Sequence, residues 1–261
     1  MDLGITGRNY YITGVSGSIG SSVARVLAAE GAFVHGCARG ENGLKEIASA
    51  LPTPVAEVAV LDALDVADQE ALATSVARAG MVVGRLDGVV VCAGAGVTGS
   101  PLGSTNDEWS QQFTVKVLGA LNLIRPAITW LEKSDRPRIV LINGVTAHHP
   151  EPDMAAVSAC RAAVANLGRS LSIELAGRVG VVTVNLGAIL TQRQQSRWRS
   201  LAPDQPFDEW IAQEVVRRGI LSGRLGDPEE VGRAVAFLLS PSADYISGTS
   251  VDIAGGSHGR T

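Results

Sequence analysis

Two hydrophobic rhythms take turns along this chain. Short continuous apolar or β-branched runs fall at residues 10–13, 33–37, 55–61, 89–92, 139–143 and 181–186, with a last one at 250–253. Runs apolar at successive positions fit strands covered on both faces of a parallel sheet. Between them, residues 19–30, 68–79, 107–131, 154–176 and 228–239 carry apolar residues at three-to-four spacing, the period of an amphipathic helix. Asp227-Pro228-Glu229-Glu230 marks one helix start, with a cap, a first-turn proline and two acids. Alternating strand and helix patterns predict an α/β fold: a doubly wound parallel sheet of about seven strands with helices on both faces. No linker, repeat or low-complexity tract divides residues 1–261, so one domain is expected. Residues 192–225 break the rhythm, being rich in Arg and Gln, carrying Trp198, Phe207 and Trp210, and lacking a strand pattern. Two readings of that insertion stand: a lid over a substrate cleft, or a peripheral helical hairpin that packs its own aromatics.

Composition narrows the partners. With 46% hydrophobic and 18% charged residues, the chain can bury a large core. A formal net charge of −4 argues against a nucleic-acid surface or an anionic-membrane binder. Apolar runs are too short to span a bilayer. The N-terminus enters RNYYITG without a basic and then apolar leader, so a cytoplasmic location is expected. Cys37, Cys92 and Cys160 each fall in an apolar segment and are expected to be reduced core thiols rather than a disulfide or metal site.

Chemistry concentrates at two ends of the pattern. TGVSGSIG, residues 13–20, follows the first strand and opens the first helix, the context of a glycine-rich phosphate loop. Gly14 permits the sharp turn, Gly20 allows close helix–strand packing, and amides near Ser16, Gly17, Ser18 and Ile19 can meet a diphosphate. The loop resembles the Thr-Gly-x-x-x-Gly-x-Gly of short-chain dehydrogenases/reductases, with the middle glycine displaced to Gly17 and Ser18 in its usual place. Asp65-Val66 and Ala93-Gly94 resemble that family's motifs after strands three and four, with Val91 and Cys92 in place of two asparagines. AVSACRAAV (156–164) resembles its catalytic helix, and residues 224–256 are very similar to its final helix, loop and strand. The resemblance covers nearly the whole chain. It implies a single-domain Rossmann-type fold, oxidoreductase ancestry and a nicotinamide dinucleotide. The second strand ends Ala38-Arg39 where an NAD enzyme carries an Asp; a guanidinium pairs with a 2′-phosphate, so NADP(H) is implied at the adenosine side.

The other end departs from the family. Its Asn, Ser, Tyr and Lys fall, by their surroundings, at Lys116, Gly144, Val157 and Arg161, and the Pro-Gly turn after strand six is shortened to Leu186-Gly187. Neither Gly144 nor Val157 has a side-chain donor for a developing oxyanion, and valine cannot relay a proton. The expectation is therefore a non-standard, even non-redox, reaction on a small carbonyl or hydroxylated metabolite, without a productive nicotinamide. Lys116 and Arg161 make the centre cationic, suiting an enolate or carboxylate, and His148 and His149 beside Glu151 and Asp153 are acid–base candidates. Exposed loop histidines are also commonly just solvated. A His-His pair without further spaced ligands predicts no metal. Arg at the Lys position is also seen in the halohydrin dehalogenases of this fold, but their Ser and Tyr are absent here. The alternative is a catalytically silent subunit assembling with an active relative, or an NADP-sensing module. The resemblance further implies a homodimer or homotetramer, or a hetero-oligomer with an active relative, through helices 107–131 and 154–176. Unless another hydroxyl, such as that of Tyr245, reaches the place beside Arg161, ordinary reductase chemistry has no proton donor.

Overall fold

The computed structural model describes residues 2–94 and 96–257. Its strands are β1 (Asn9–Thr13), β2 (Phe33–Ala38), β3 (Leu61–Ala63), β4 (Gly88–Val91), β5 (Arg138–Gly144), β6 (Gly180–Leu186) and β7 (Thr249–Ile253). They form one parallel sheet in the order β3-β2-β1-β4-β5-β6-β7. Successive strand residues point to opposite faces. Tyr10, Ile12, Val90 and Val140 accordingly join one core cluster, while Tyr11, Val89, Ile139 and Leu141 join the other. Helices α1 (Ser18–Ala29), α2 (Glu41–Ala50) and α10 (Pro228–Leu239) supply Leu27, Leu44 and Val235 to the first. Helices α4 (Gln69–Val83), α6 (Gly119–Leu131) and α7 (Ala155–Glu174) supply Leu72, Leu123 and Leu171 to the second. The expected α/β, doubly wound seven-stranded sheet is thus the observed one.

The start at Asp227 behaves as its residues predict. Its carboxylate accepts from the Glu229 amide at 2.7 Å, and Glu230 accepts from the Asp227 amide at 2.7 Å, a reciprocal cap. Two local expectations need correction. Residues 55–61 are not one strand: α3 (Val55–Val58) is a helical turn opened by Pro54, and the strand begins only at Leu61. Val55 and Val58 stand three apart, a spacing that serves a helical turn as well as a strand, and buried Val55 packs into the first cluster. Residues 107–131 are not one α-helix either. α5 (Asn106–Phe113) passes through a π-helical turn, Thr114–Leu118, before α6. That turn carries Lys116. Helix α2 has no counterpart in the sequence reading, although Leu44, Ile47 and Leu51 follow helical spacing.

In open sheets of this kind, ligands bind beyond the strand carboxyl ends where strand order reverses. Here the reversal lies between β1 and β4, and a cleft of about 1700 Å³ opens there.

Candidate active site

The nucleotide half of the cleft is built from the ends of β1, β2 and β4. Thr13 Oγ1 accepts from the amides of Cys92 (3.1 Å) and Ala93 (3.2 Å), and the Gly14 amide donates to the Cys37 carbonyl at 2.8 Å. Gly14 has φ +68, and a Cβ there would lie 2.9 Å from the Ala93 Cα. Any larger residue is excluded twice, by conformation and by space. A Cβ on Gly20 would strike the Gly14 carbonyl, which lets α1 start against the loop. Gly17 caps α1 without a side-chain hydrogen bond, leaving first-turn amides without an intrahelical partner. Ser16, Gly17, Ser18, Ile19, Arg39, Asp65, Val66, Ala93 and Gly94 all line the cleft beside them. Val66 is fixed by Asn122, whose Nδ2 donates to the Val66 carbonyl at 3.0 Å; the sequence reading passed over Asn122. A glycine cradle, an uncapped helix start and an exposed arginine at the end of β2 fit the adenosine and diphosphate portions of a dinucleotide.

The other half is built around Arg161. A Cβ on Gly144 would lie 2.5 Å from Nη1 of Arg161 and 2.6 Å from its Cζ. The guanidinium therefore occupies the space in which a serine at 144 would place its side chain. Arg161 Nη1 donates to Thr146 Oγ1 at 2.8 Å, on the short 3-10 turn Val145–Ala147 that follows β5. That hydroxyl, two residues past Gly144, lines the cleft and was not singled out from sequence. Val157 is 0% exposed and packs into the interior, away from the cleft lining. Tyr245 is fully exposed on the approach to β7. The hydroxyl beside Arg161 is thus that of Thr146, not of a tyrosine.

Buried polar groups hold this half in place. Asn143 Nδ2 donates to the Arg161 carbonyl and to Asn185 Oδ1, each at 3.1 Å, and Asn185 Nδ2 donates to Asp252 Oδ1 at 2.9 Å. This chain ties α7 to β5, β6 and β7. Burial, then the positive charges of Arg161 and Arg193, brings the Lys116 ammonium down to about 8. Burial, and then Arg193, brings the Arg161 guanidinium down to about 10, still charged at neutral pH. His148 and His149 lie exposed at the cleft's rim, their amides both donating to the Val145 carbonyl at 3.0 Å. Among the described residues, no group of three or more His, Cys, Asp or Glu comes together to hold a metal ion, and the three cysteines are free.

Residues 192–225 contribute α8 (Gln192–Leu201) and α9 (Phe207–Arg217). Trp198, Phe207 and Trp210 pack on one another, with ring centroids 5.2 and 6.1 Å apart. Arg193, Gln194, Arg197, Arg217 and Arg218 from the same segment line the cleft. The segment thus packs its own aromatics and also lines the cleft. Glu214 gathers Arg217 (2.7 Å), Arg218 (3.0 Å) and Arg197 (3.4 Å), and Arg218 reaches across to Glu151 at 2.6 Å. Burial works against the Glu214 carboxylate, but the hydrogen bonds of Arg217 and Arg218 hold it down at about 2.

Known proteins share this architecture end to end. The family model described as enoyl-(acyl carrier protein) reductase matches residues 14–258. An oxidoreductase UcpA of Salmonella typhimurium is 31% identical over 97% of this chain and 95% of its own. The 2,3-dihydro-2,3-dihydroxybenzoate dehydrogenase of Escherichia coli is 28% identical over 97% of both chains. L-sorbose reductase from Gluconobacter frateurii, solved with NADPH and L-sorbose, superposes with a TM-score of 0.94 at 25% identity over the whole of both chains. A Pseudomonas aeruginosa short-chain oxidoreductase containing an atypical catalytic center superposes with a TM-score of 0.90 at 29% identity, again over both whole chains. Fold, glycine loop and full-length family match together make this chain a member of the short-chain dehydrogenase/reductase superfamily.

Proposed function

We propose that this protein is an NADP(H)-dependent oxidoreductase acting on a small carbonyl or hydroxylated metabolite, with Thr146, Arg161 and Lys116 in place of the usual serine and tyrosine. The observation that carries this reading is the Arg161 guanidinium filling the side-chain space above Gly144 while bonding Thr146. NADPH-bound relatives of the same fold support the cofactor. The loop at 14–20 would hold its diphosphate and Arg39 its 2′-phosphate. Bound there, the cofactor would supply the hydride that reduces a carbonyl carbon. Negative charge then grows on the carbonyl oxygen and must be met as it forms. Thr146 Oγ1 already accepts from Arg161, which leaves its own proton to donate toward that oxygen. Arg161 adds positive charge but stays protonated. Lys116 Nζ, with a pKa near 8, holds a proton it can release near neutral pH. Helices α8 and α9 act as a lid that excludes water, tied to the loop after β5 by Arg218 and Glu151. The exposed histidines stand at the entrance rather than at the proton. As in relatives of this superfamily, assembly would use α5 to α7, which leave Phe113, Leu118 and Ile173 exposed on their surfaces.

The test is a fluorescence titration with NADPH followed by loss of reduced-nicotinamide absorbance against a panel of small ketones, aldehydes and ketoses. Binding should weaken about 10- to 100-fold in Arg39→Ala, the loss of charge-assisted phosphate bonds. Thr146→Ala and Lys116→Met should each cut turnover by about 10² or more with NADPH affinity unchanged. The combined His148→Ala, His149→Ala variant should remain active. Turnover that survives in Thr146→Ala and Lys116→Met would refute the assignment.

A further inference from the structure

Positive charge in the substrate half of the cleft exceeds what the protein itself neutralises. Glu214 is already shared among Arg197, Arg217 and Arg218, and Glu151 is taken by Arg218. The Arg161 guanidinium donates to the neutral Thr146 hydroxyl. Arg193, on the first turn of α8, makes no hydrogen bond or ion pair with a described residue, and its guanidinium occupies the space where a Cβ on Gly96 would stand. It stands close enough to Arg161 and Lys116 to depress the basicity of both. Glu151 offsets the charge of Arg161 and Arg193 without an ion pair to either, but like charges gathered in one cleft disfavour the fold, so their retention points to a ligand that completes them. Two further groups in the lining lack partners. Gln112 is 2% exposed and Gln194 is 9% exposed, and each has a buried amide oxygen that accepts no hydrogen bond. Buried acceptors of this kind are matched by donors, here the hydroxyl groups of a ligand.

We propose that the substrate is a small hydroxylated or oxo carboxylic acid, its carboxylate held between Arg193 of α8 and Arg161 of α7. This deepens the reading above and rests on the cleft being the reaction site. A planar carboxylate matches two guanidinium forks better than a point charge would. Arg193 then serves as the specificity residue.

Calorimetric titration of the NADPH-loaded and the NADPH-free protein with oxalate tests this, with oxamide as the neutral molecule of the same shape. Oxalate should bind, oxamide should bind about tenfold more weakly or not at all, and Arg193→Gln should weaken oxalate about tenfold, the loss of one charge-assisted pair. NADPH affinity should not change in that variant. Arg199→Gln, which alters an exposed arginine of the same helix outside the cleft lining, should leave oxalate binding as it was. Failure of oxalate to bind, equal binding of oxamide, or tighter binding of inorganic phosphate than of oxalate would overturn the carboxylate. An Arg193→Gln variant that loses NADPH and keeps oxalate would instead give Arg193 to the dinucleotide. If the unaltered protein fails to bind NADPH while oxalate behaves as expected, the cofactor assignment falls and the carboxylate site stands.

Discussion

Gly144 and Arg161 are two halves of one exchange. A glycine at 144 leaves room for a guanidinium, and the guanidinium makes any side chain at 144 a collision. Restoring serine at 144 alone should therefore destabilise the protein by about 1–3 kcal/mol, the range for overpacking. In an Arg161→Ala background the same change should cost at least about 0.5 kcal/mol less, the coupling expected of residues in contact. Urea unfolding of the four proteins in that cycle measures it, and strictly additive effects would contradict the exchange. Sequence singled out both residues as departures from a pattern. What spacing could not convey was that one fills the place of the other, nor that Thr146, two residues on, presents its hydroxyl to the same group.

The elements that frame the site differ in how openly the sequence declares them. Parallel strands buried on both faces leave runs such as GVVV in β4 and IVLI in β5, and these were legible because burial alone decides their composition. The π turn at Thr114–Leu118 was not, since one extra residue in a helix leaves the apolar spacing nearly unchanged. Such turns recur at functional sites, and this one carries Lys116, whose ammonium feels the charges of Arg161 and Arg193. The α8–α9 hairpin contains Glu214, a buried carboxylate holding three guanidiniums. Its folded pKa, about 2, lies below the ordinary 4.5, so the folded state binds fewer protons than the unfolded. The stabilisation is therefore complete above about pH 4.5 and lost as pH falls toward 2. Amide exchange should show α9 protected at neutral pH and opening across that window, whereas Glu214→Gln should open it already at neutral pH. Equal protection of α9 in both proteins at neutral pH would show that the aromatic packing holds the hairpin unaided.

At the scale of the whole molecule, the two halves of the cleft were unequally readable for a physical reason. The dinucleotide half is local: a strand, a glycine loop and a helix start supply it within residues 13–20, with Arg39 one strand away. The reacting half is assembled from the π turn, the loop after β5, α7 and α8, which meet only in the folded chain. Arg138 illustrates the same limit away from the site. It is 1% exposed, and its guanidinium donates to the carbonyls of Leu238, Asp244 and Ile246, fixing the turn that leads into β7. No pattern in the sequence marks it.

The central claim is that Lys116 carries the proton in a site made positive by Arg161. The most direct measurement is the pH dependence of kcat for carbonyl reduction, with the substrate selected from the panel, in the unaltered protein and in Arg161→Gln. Reduction needs the protonated amine, so kcat should fall as pH rises through about 8. Removing the neighbouring positive charge raises the affinity of Lys116 for its proton, so the fall should move to higher pH in Arg161→Gln. A profile flat through pH 8, or a midpoint that stays in place when Arg161 is replaced, would contradict the account.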